Sequence, residues 1–265
     1  MEPFNDELYI LPRDKKVVKA NELIQESRFS LSLQQQKIIL FLISQITPFD
    51  EDFKTYEFDI REFCKVCGMD YDNGGNYELL KDQIKKIADQ SVWIMLEDGK
   101  TESLIRWIEK PRMERYKGII QIRLDEDLKP YLLQLKKNFT QYELIYTLNF
   151  KSKYTIRLYE LLKSIHYNDL EPYERTFSLD DFRRMLGAEK YTKYSHFKAR
   201  VLEPTIEEVN AYSDKIVSYK PLKTGHSITA IKIKVESKAP ADVAMITAEI
   251  DRNLNNQIMF AGMEW

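Results

Sequence analysis

The chain has 265 residues, with 40 Lys and Arg against 42 Asp and Glu, which gives a formal net charge of −2. This length suits roughly two domains, and the lack of any apolar run of about 18 residues excludes a membrane-spanning helix. The net charge excludes a uniformly basic nucleic-acid binder, although basic residues can still be concentrated in one region. Two cysteines, and a start without a basic stretch followed by an apolar one, predict a cytoplasmic protein.

The first half of the chain carries clear local signals for helices and a hairpin. Leu33, Ile38 and Leu42 recur at roughly helical spacing after Ser32, which is a suitable N-cap. Asp-Gly at 98–99 between two alternating apolar segments is typical of a hairpin turn. The predicted elements are a helix over Gln34–Ile46, a strand at Tyr56–Phe58, a helix from Asp59 to Cys67, a helix beginning at Asn76, strands Ser91–Leu96 and Thr101–Trp107, and a strand pair over Arg112–Arg123.

The second half repeats this order of elements. Phe58–Phe63 aligns with Phe177–Phe182 at an offset of 119 residues, and the same offset places Gly68 on Gly187. The predicted elements of this copy are a helix over Tyr154–Ile165, a helix capped by Ser178 and ended by Gly187, a helix over Tyr194–Tyr212, and strands Lys215–Lys220 and Ile228–Glu236. Helix, strand, helix-turn-helix and hairpin in both copies predict an α+β fold of two tandem winged-helix domains of similar topology.

Four segments follow from this repeat. We expect an N-terminal arm over residues 1–16, a winged-helix domain over 17–138, a second over 139–238, and a C-terminal tail over 239–265. The tail has apolar residues at helical spacing (Val243, Ile246, Ile250 and Leu254), which predicts either a short amphipathic helix or a disordered end. The first domain has an additional strand pair around Lys117, whose sheet edge either pairs with another subunit or is internal.

Basic charge is concentrated in the second copy. Tyr191–Lys238 has nine Lys and Arg against five Asp and Glu, whereas Phe41–Glu62 has two against six. The second helix of a helix-turn-helix enters the major groove with its N-terminal turns nearest the bases. In that helix Phe197 and Val201 are expected to face the core. The side chains expected to reach base edges are Ser195, His196, Lys198 and Arg200.

Phosphate contacts are expected on either side of this helix. Lys193 precedes it, and Lys220 and Lys223 lie in the basic segment Lys220–His226, which is the predicted tip of the wing. Lysines at these places suit the DNA backbone or the minor groove. A basic face that is simply solvated is the alternative interpretation.

The corresponding helix of the first copy is less basic. Lys81 and Lys85 are its candidate DNA contacts, but Glu78 and Asp82 alternate with them and would repel phosphates. We therefore expect the first domain to contact DNA weakly, or to provide mainly a protein-interaction surface.

Catalytic motifs are missing from the sequence. Cys64 and Cys67 form a C-x-x-C pair without the second pair of soft ligands that a tetrahedral zinc site needs, so buried apolar roles are expected. His166, His196 and His226 are isolated from one another, and no G-x-S-x-G nucleophile elbow occurs. The sequence predicts no catalytic residue, no metal, no cofactor and no enzymatic activity.

Several sequence segments, taken in order, resemble the iteron-binding plasmid replication initiators of the Rep_3 family. No segment is diagnostic alone, but their order and spacing over about residues 17–237 are fairly specific. The segments are Val18–Ile24, Leu33–Ile38, Phe182–Gly187 and Phe197–Glu208.

This resemblance implies a function and a set of partners. It implies sequence-specific binding to directly repeated origin sites, with the main base-reading helix at Tyr194–Val201. It also implies a first domain that makes a second DNA contact in monomers and forms the interface of a homodimer. Monomers would initiate replication with a host initiator ATPase and the replicative helicase, while dimers would repress their own promoter. The residues leave open a winged-helix transcriptional repressor, a protein-interaction scaffold that does not bind DNA, and an unrecognised nuclease.

Overall fold

The computed structural model describes residues 15–66, 75–96, 99–114, 116–166 and 171–261. Most of the predicted N-terminal arm, Cys67 and Gly68 therefore lie outside the described residues, as do residues 262–265 of the predicted tail. In the described part of the chain, no helix is both long enough and apolar enough to cross a bilayer.

The first repeat and the segment that follows it contain seven strands and six α-helices in the described ranges. In chain order they are β1 (Lys16–Ala20), α1 (Asn21–Gln25), α2 (Leu33–Ile43), β2 (Tyr56–Asp59), α3 (Ile60–Val66), α4 (Gly75–Ala88), β3 (Ser91–Met95), β4 (Glu102–Arg106), β5 (Ile108–Glu114), β6 (Ile119–Leu124), a 3-10 turn (Glu126–Leu128), α5 (Lys129–Leu132), β7 (Phe139–Glu143) and α6 (Leu144–Leu148).

The second repeat has the predicted order of elements and ends in a long helix. Its elements are α7 (Lys153–Ile165), β8 (Tyr173–Ser178), α8 (Leu179–Leu186), α9 (Tyr194–Phe197), a π-helical turn (Lys198–Leu202), α10 (Glu203–Tyr212), β9 (Lys215–Thr224), β10 (Ser227–Ser237) and α11 (Pro240–Ala261). The predicted amphipathic tail helix forms as α11, which packs on α6 and α10 and buries Ile250.

Local capping signals place the helices where the sequence predicts them. Ser32 and Gln35 form a reciprocal capping box at the start of α2. The Ser178 hydroxyl accepts a hydrogen bond from the Asp181 amide at the start of α8 (3.1 Å). Gly187 ends α8 with φ of +67°, a left-handed conformation that favours glycine. Helix α2 ends at Ile43, earlier than predicted.

The two domains differ in how their sheets are completed. In the second, the order is β8-β10-β9, so the strand before the helix-turn-helix pairs with the hairpin that follows it. In the first, β2 pairs with β6 in a β2-β6-β5 sheet, and the β3–β4 hairpin forms a separate pair. The additional strand pair is therefore part of the main sheet of the first domain, with β6 inside and β5 at the edge.

Helix α7 is the element that both repeats share. It packs against α1, α2 and β7, which precede it in the chain, and against α8 and α10, which follow it. Tyr154, Leu158, Tyr159 and Ile165 are among its many buried residues. Because one helix serves both cores, the two repeats are held against each other.

A buried ion pair joins β1 to α7. Lys19 Nζ lies 2.8 Å from Glu160 Oε1, and each side chain is only 2 % exposed. The Tyr142 hydroxyl of β7 donates to the same carboxylate oxygen at 2.6 Å. Burial lowers the pKa of Lys19, and Glu160 opposes that shift. The charge of Lys19 is therefore tolerated inside the protein because Glu160 is there.

We expect Glu160→Gln to destabilise the protein by about 3 kcal/mol, because it leaves Lys19 as an uncompensated buried charge. The double variant Lys19→Met with Glu160→Gln should be more stable than Glu160→Gln alone, because it also removes the buried charge of Lys19. Urea denaturation measures both effects. Asp89→Asn, which breaks the exposed Lys85–Asp89 pair, is the control and should cost less than about 1 kcal/mol. The prediction would be contradicted if Glu160→Gln lowered the free energy of unfolding by no more than Asp89→Asn does.

Candidate nucleic-acid interface

The helix-turn-helix of the second domain is fixed by aromatic packing and by Arg183. Phe182 of α8 packs edge-on against Phe197 of α9, with ring centroids 6.3 Å apart. The Arg183 guanidinium lies over the Phe197 ring and donates to the Thr192 carbonyl at 2.9 Å. Arg183 is 7 % exposed, so it holds the turn between the two helices and presents little of its surface to solvent. Sequence reasoning assigned it no role, although it lies in one of the segments that carry the family resemblance.

The predicted recognition helix over 194–212 is continuous but not uniformly α-helical. A π-helical turn over Lys198–Leu202 separates α9 from α10. Such turns shift the direction in which the following side chains point, and they are frequent at functional sites. Phe197 and Val201 are both fully buried, which confirms that this side of the helix faces the core.

The opposite side of this helix presents the predicted base-contacting residues to solvent. Ser195, His196 and Arg200 are exposed, and Lys193 is exposed at the position just before the helix. Lys198 is different, because its Nζ forms an ion pair with Glu203 at 3.2 Å. Contact between Lys198 and DNA would require that pair to open.

Glu203 is itself held at the base of the wing. The Tyr219 hydroxyl of β9 donates to Glu203 Oε1 at 3.2 Å. Burial raises the pKa of Tyr219, and the negative charges around it raise this pKa further. The phenol therefore stays protonated and can donate this hydrogen bond. These contacts tie the π-helical turn of the recognition helix to the wing hairpin.

The wing is longer than predicted. β9 continues to Thr224, so Lys220 lies inside the strand pair, opposite Lys232, and not in a terminal loop. The prediction of a tip beginning at Lys220 is therefore wrong, because the backbone of β9 keeps pairing with β10 beyond that point. The turn consists of two residues, and Gly225 has φ of +62°, as hairpins of this length require. Lys223 lies next to this turn and is exposed.

Four cations of this surface lack a counter-charge. Within the described part of the chain, no ion pair involves Lys193, Arg200, Lys220 or Lys223. Lys232 on the neighbouring strand does have one, with Glu174 at 2.5 Å. We call these four cations together with Ser195 and His196 the recognition surface. Unpaired cations beside an exposed helix face can neutralise phosphates without first breaking an internal contact.

The corresponding helix of the first domain has a different electrostatic character. The Lys85 ammonium pairs with Asp89 at 2.5 Å, and Lys86 pairs with Asp82 at 2.6 Å. Lys81 lies 3.9 Å from Glu78. Each of these lysines thus has a carboxylate within α4 or directly after its last residue, and neither Lys81 nor Lys85 is part of the recognition surface.

The residues that suggested metal or redox chemistry have other environments. Cys64 is fully buried, and burial raises the pKa of its thiol to about 12, so it is protonated at neutral pH. His166 is buried beside Lys215, with Nδ1 and Nζ 3.2 Å apart. Among the described residues, no group of three or more His, Cys, Asp or Glu is arranged to hold a metal ion.

Comparison with known proteins gives consistent matches along the chain. Residues 16–163 match the family model described as Initiator Replication protein, WH1, and residues 178–235 match Initiator Rep protein, WH2. An Escherichia coli replication initiation protein is 27 % identical over 260 residues, covering 93 % of this chain and 75 % of the relative. An uncharacterized 27.6 kDa protein of Escherichia coli is 20 % identical over 234 residues, covering 84 % and 96 % of the two chains.

A solved structure has the same fold. The crystal structure of the Pi initiator protein in complex with iteron DNA superposes with a TM-score of 0.67 at 17 % identity, covering 85 % of this chain and 98 % of that one. The predicted fold of two winged-helix domains is thereby confirmed, while the predicted domain boundaries stay predictions. Because the two family matches span most of the residues, the chain belongs to the family of replication initiator proteins built from two winged-helix domains.

Proposed function

We propose that this protein initiates plasmid replication by binding directly repeated origin sequences, the iterons, through the recognition surface of its second domain. The observation that carries the proposal is the set of unpaired cations beside the exposed face of the recognition helix. The complex of the Pi initiator with iteron DNA supports it, since that protein has the same fold.

Each side chain of the recognition surface has a distinct proposed contact. Arg200 suits bidentate donation to N7 and O6 of guanine, and Ser195 and His196 suit single hydrogen bonds to base edges. Lys193, Lys220 and Lys223 neutralise phosphates and set the register of the protein on the duplex. Lys198 joins the base contacts once the duplex displaces Glu203.

The first domain contributes more weakly. Lys81 and Lys85 are its proposed DNA contacts, and the carboxylates paired with them reduce the gain from contacting phosphate. The same domain is the proposed interface of a homodimer in equilibrium with the monomer. In this scheme the monomer initiates replication, and the dimer represses the promoter of its own gene.

The proposed mechanism involves no catalytic step by this chain. Binding to tandem iterons strains the duplex and favours opening of a neighbouring AT-rich region, where a host initiator ATPase and the replicative helicase assemble. Incubation of supercoiled origin DNA with the protein and magnesium should leave it unnicked. Nicking would contradict this part of the proposal and indicate a nuclease.

A transcriptional repressor is the second candidate, because the same recognition surface could bind an operator. The DNA beside the gene separates the two functions. Several direct repeats next to an AT-rich stretch support an initiator, whereas a single inverted repeat over a promoter supports a repressor. A protein scaffold would show no salt-dependent binding to duplex DNA at all.

Arg200→Ala is expected to weaken binding to the iteron by about 1–3 kcal/mol and to relax specificity at one base pair, because a bidentate base contact is lost. Binding titrations against a set of singly substituted iterons measure both effects. Arg252→Ala, an exposed arginine of α11, is the matched control and should bind like the unmodified protein. Unchanged iteron binding by an Arg200→Ala, Lys198→Ala double variant would rule out this assignment.

Lys220→Ala and Lys223→Ala are expected to weaken binding to all duplex sequences by a similar factor. Each should lower the slope of log K against log salt by about 0.9, because each removes one phosphate contact. Lys137→Ala, an exposed lysine outside the wing, is the control and should keep the slope. If these changes weakened binding to the iteron but not to other duplex sequences, the two lysines would contact bases and not phosphates.

A further inference from the structure

A cleft between the two repeats is lined by cations from both of them. Its volume is about 330 Å³. The first repeat contributes the loop between α1 and α2, and the second contributes the start of α7 and the end of α8. The cationic residues in its lining are Arg28, Lys153, Arg157 and Arg184, and the acidic residue is Glu189.

Arg157 is the most buried of these cations, with 7 % of its surface exposed. Its guanidinium donates to the carbonyl oxygens of Met185 (2.9 and 3.1 Å) and Ser27 (3.2 Å) and lies over the Phe29 ring. Its Nη1 atom is buried with no hydrogen-bond partner in the described part of the chain. Arg157 therefore bonds to neutral carbonyls and keeps an unused donor.

Within the described ranges, no carboxylate forms an ion pair with Arg157, although the negative charges of Glu160 and Glu189 act on it from a longer distance. Glu160, the acidic group nearest in sequence, is already bound by Lys19 and Tyr142. A buried charge normally has a partner of opposite sign, because its desolvation is otherwise uncompensated. Burial lowers the pKa of Arg157, which reflects that cost, although a guanidinium stays charged at neutral pH.

The remaining lining residues add positive charge at the mouth of the cleft. Arg184 has a partner, Asp181 at 2.7 Å. Arg28 is exposed and Lys153 is half-buried, and neither forms an ion pair within the described ranges. Four cations thus face two carboxylates, Glu189 and Asp181, so the cleft keeps an excess of positive charge.

We propose that this cleft binds an oxyanion of the phosphate class, held by Arg28 and Lys153 with the charge of Arg157 behind them. The phosphate belongs either to a free phosphorylated small molecule or to the DNA backbone, and only the second source rests on the proposed function. Because the cations come from both repeats, a bound anion stabilises this arrangement of the two domains over any other.

The free source is tested with inorganic phosphate on the full chain. The thermal midpoint is measured against phosphate concentration at constant ionic strength, with chloride as the replacement anion. We expect a saturable rise, and an Arg28→Ala, Lys153→Ala variant should bind phosphate at least tenfold more weakly. Arg112→Ala with Lys151→Ala is the matched control. Arg157 is left intact, because its removal would free the carbonyls of Ser27 and Met185.

The DNA source is tested with random-sequence duplex. If the backbone supplies the phosphate, the Arg28→Ala, Lys153→Ala variant lowers the slope of log K against log salt by about two relative to the control variant. An effect in either assay supports the site and identifies the source. If the Arg28→Ala, Lys153→Ala variant behaves like the control variant in both assays, the proposed phosphate site is ruled out. If the unmodified protein binds no DNA, the proposed function fails, and the inorganic phosphate assay alone decides on the cleft.

Discussion

The arrangement of the two domains depends on the buried contact between Lys19 and Glu160 on helix α7. Two charges removed from water are stable only when they pair with each other and their remaining hydrogen-bonding atoms are satisfied. Here the Tyr142 hydroxyl supplies the additional hydrogen bond to Glu160. This requirement fixes the register of β1, since a shift by one residue would turn Lys19 to the other face. Because α7 also packs on α8 and α10, the position of the recognition helix relative to the first domain follows.

The cations of this protein fall into classes set by their partners. Those of α4 pair with carboxylates within this helix or directly after it, and those of the recognition surface form no ion pair among the described residues. In the described part of the chain, Arg157 donates hydrogen bonds to carbonyl oxygens and lies over the Phe29 ring. A net charge of −2 hides these differences, because acidic regions elsewhere cancel the basic segment of the second domain. The cations of the recognition surface therefore differ from those of α4 in having no internal ion pair among the described residues.

Local signals predicted the elements that depend on local interactions. Ser32, Ser178 and Gly187 lie where the sequence places them, because a cap or a left-handed residue acts within one turn of helix. The sequence predicted the pairing within hairpins but not between distant strands, since β6 lies beside β2. It also did not predict that β9 extends beyond Lys220. A strand's partner is chosen by residues far along the chain, so no short window of sequence contains that information.

The sequence by itself determined the two repeats and the side of the recognition helix that faces the core, because Phe197 and Val201 must be buried together at a spacing of four. It also identified which cations are candidates for contact with DNA. Only the tertiary structure decided which of these cations form an internal ion pair, since a pair such as Lys198 with Glu203 depends on the geometry of a π-helical turn. The tertiary structure likewise brought Arg28 and Arg157 to one cleft, because the packing of both repeats on α7 unites segments distant in sequence.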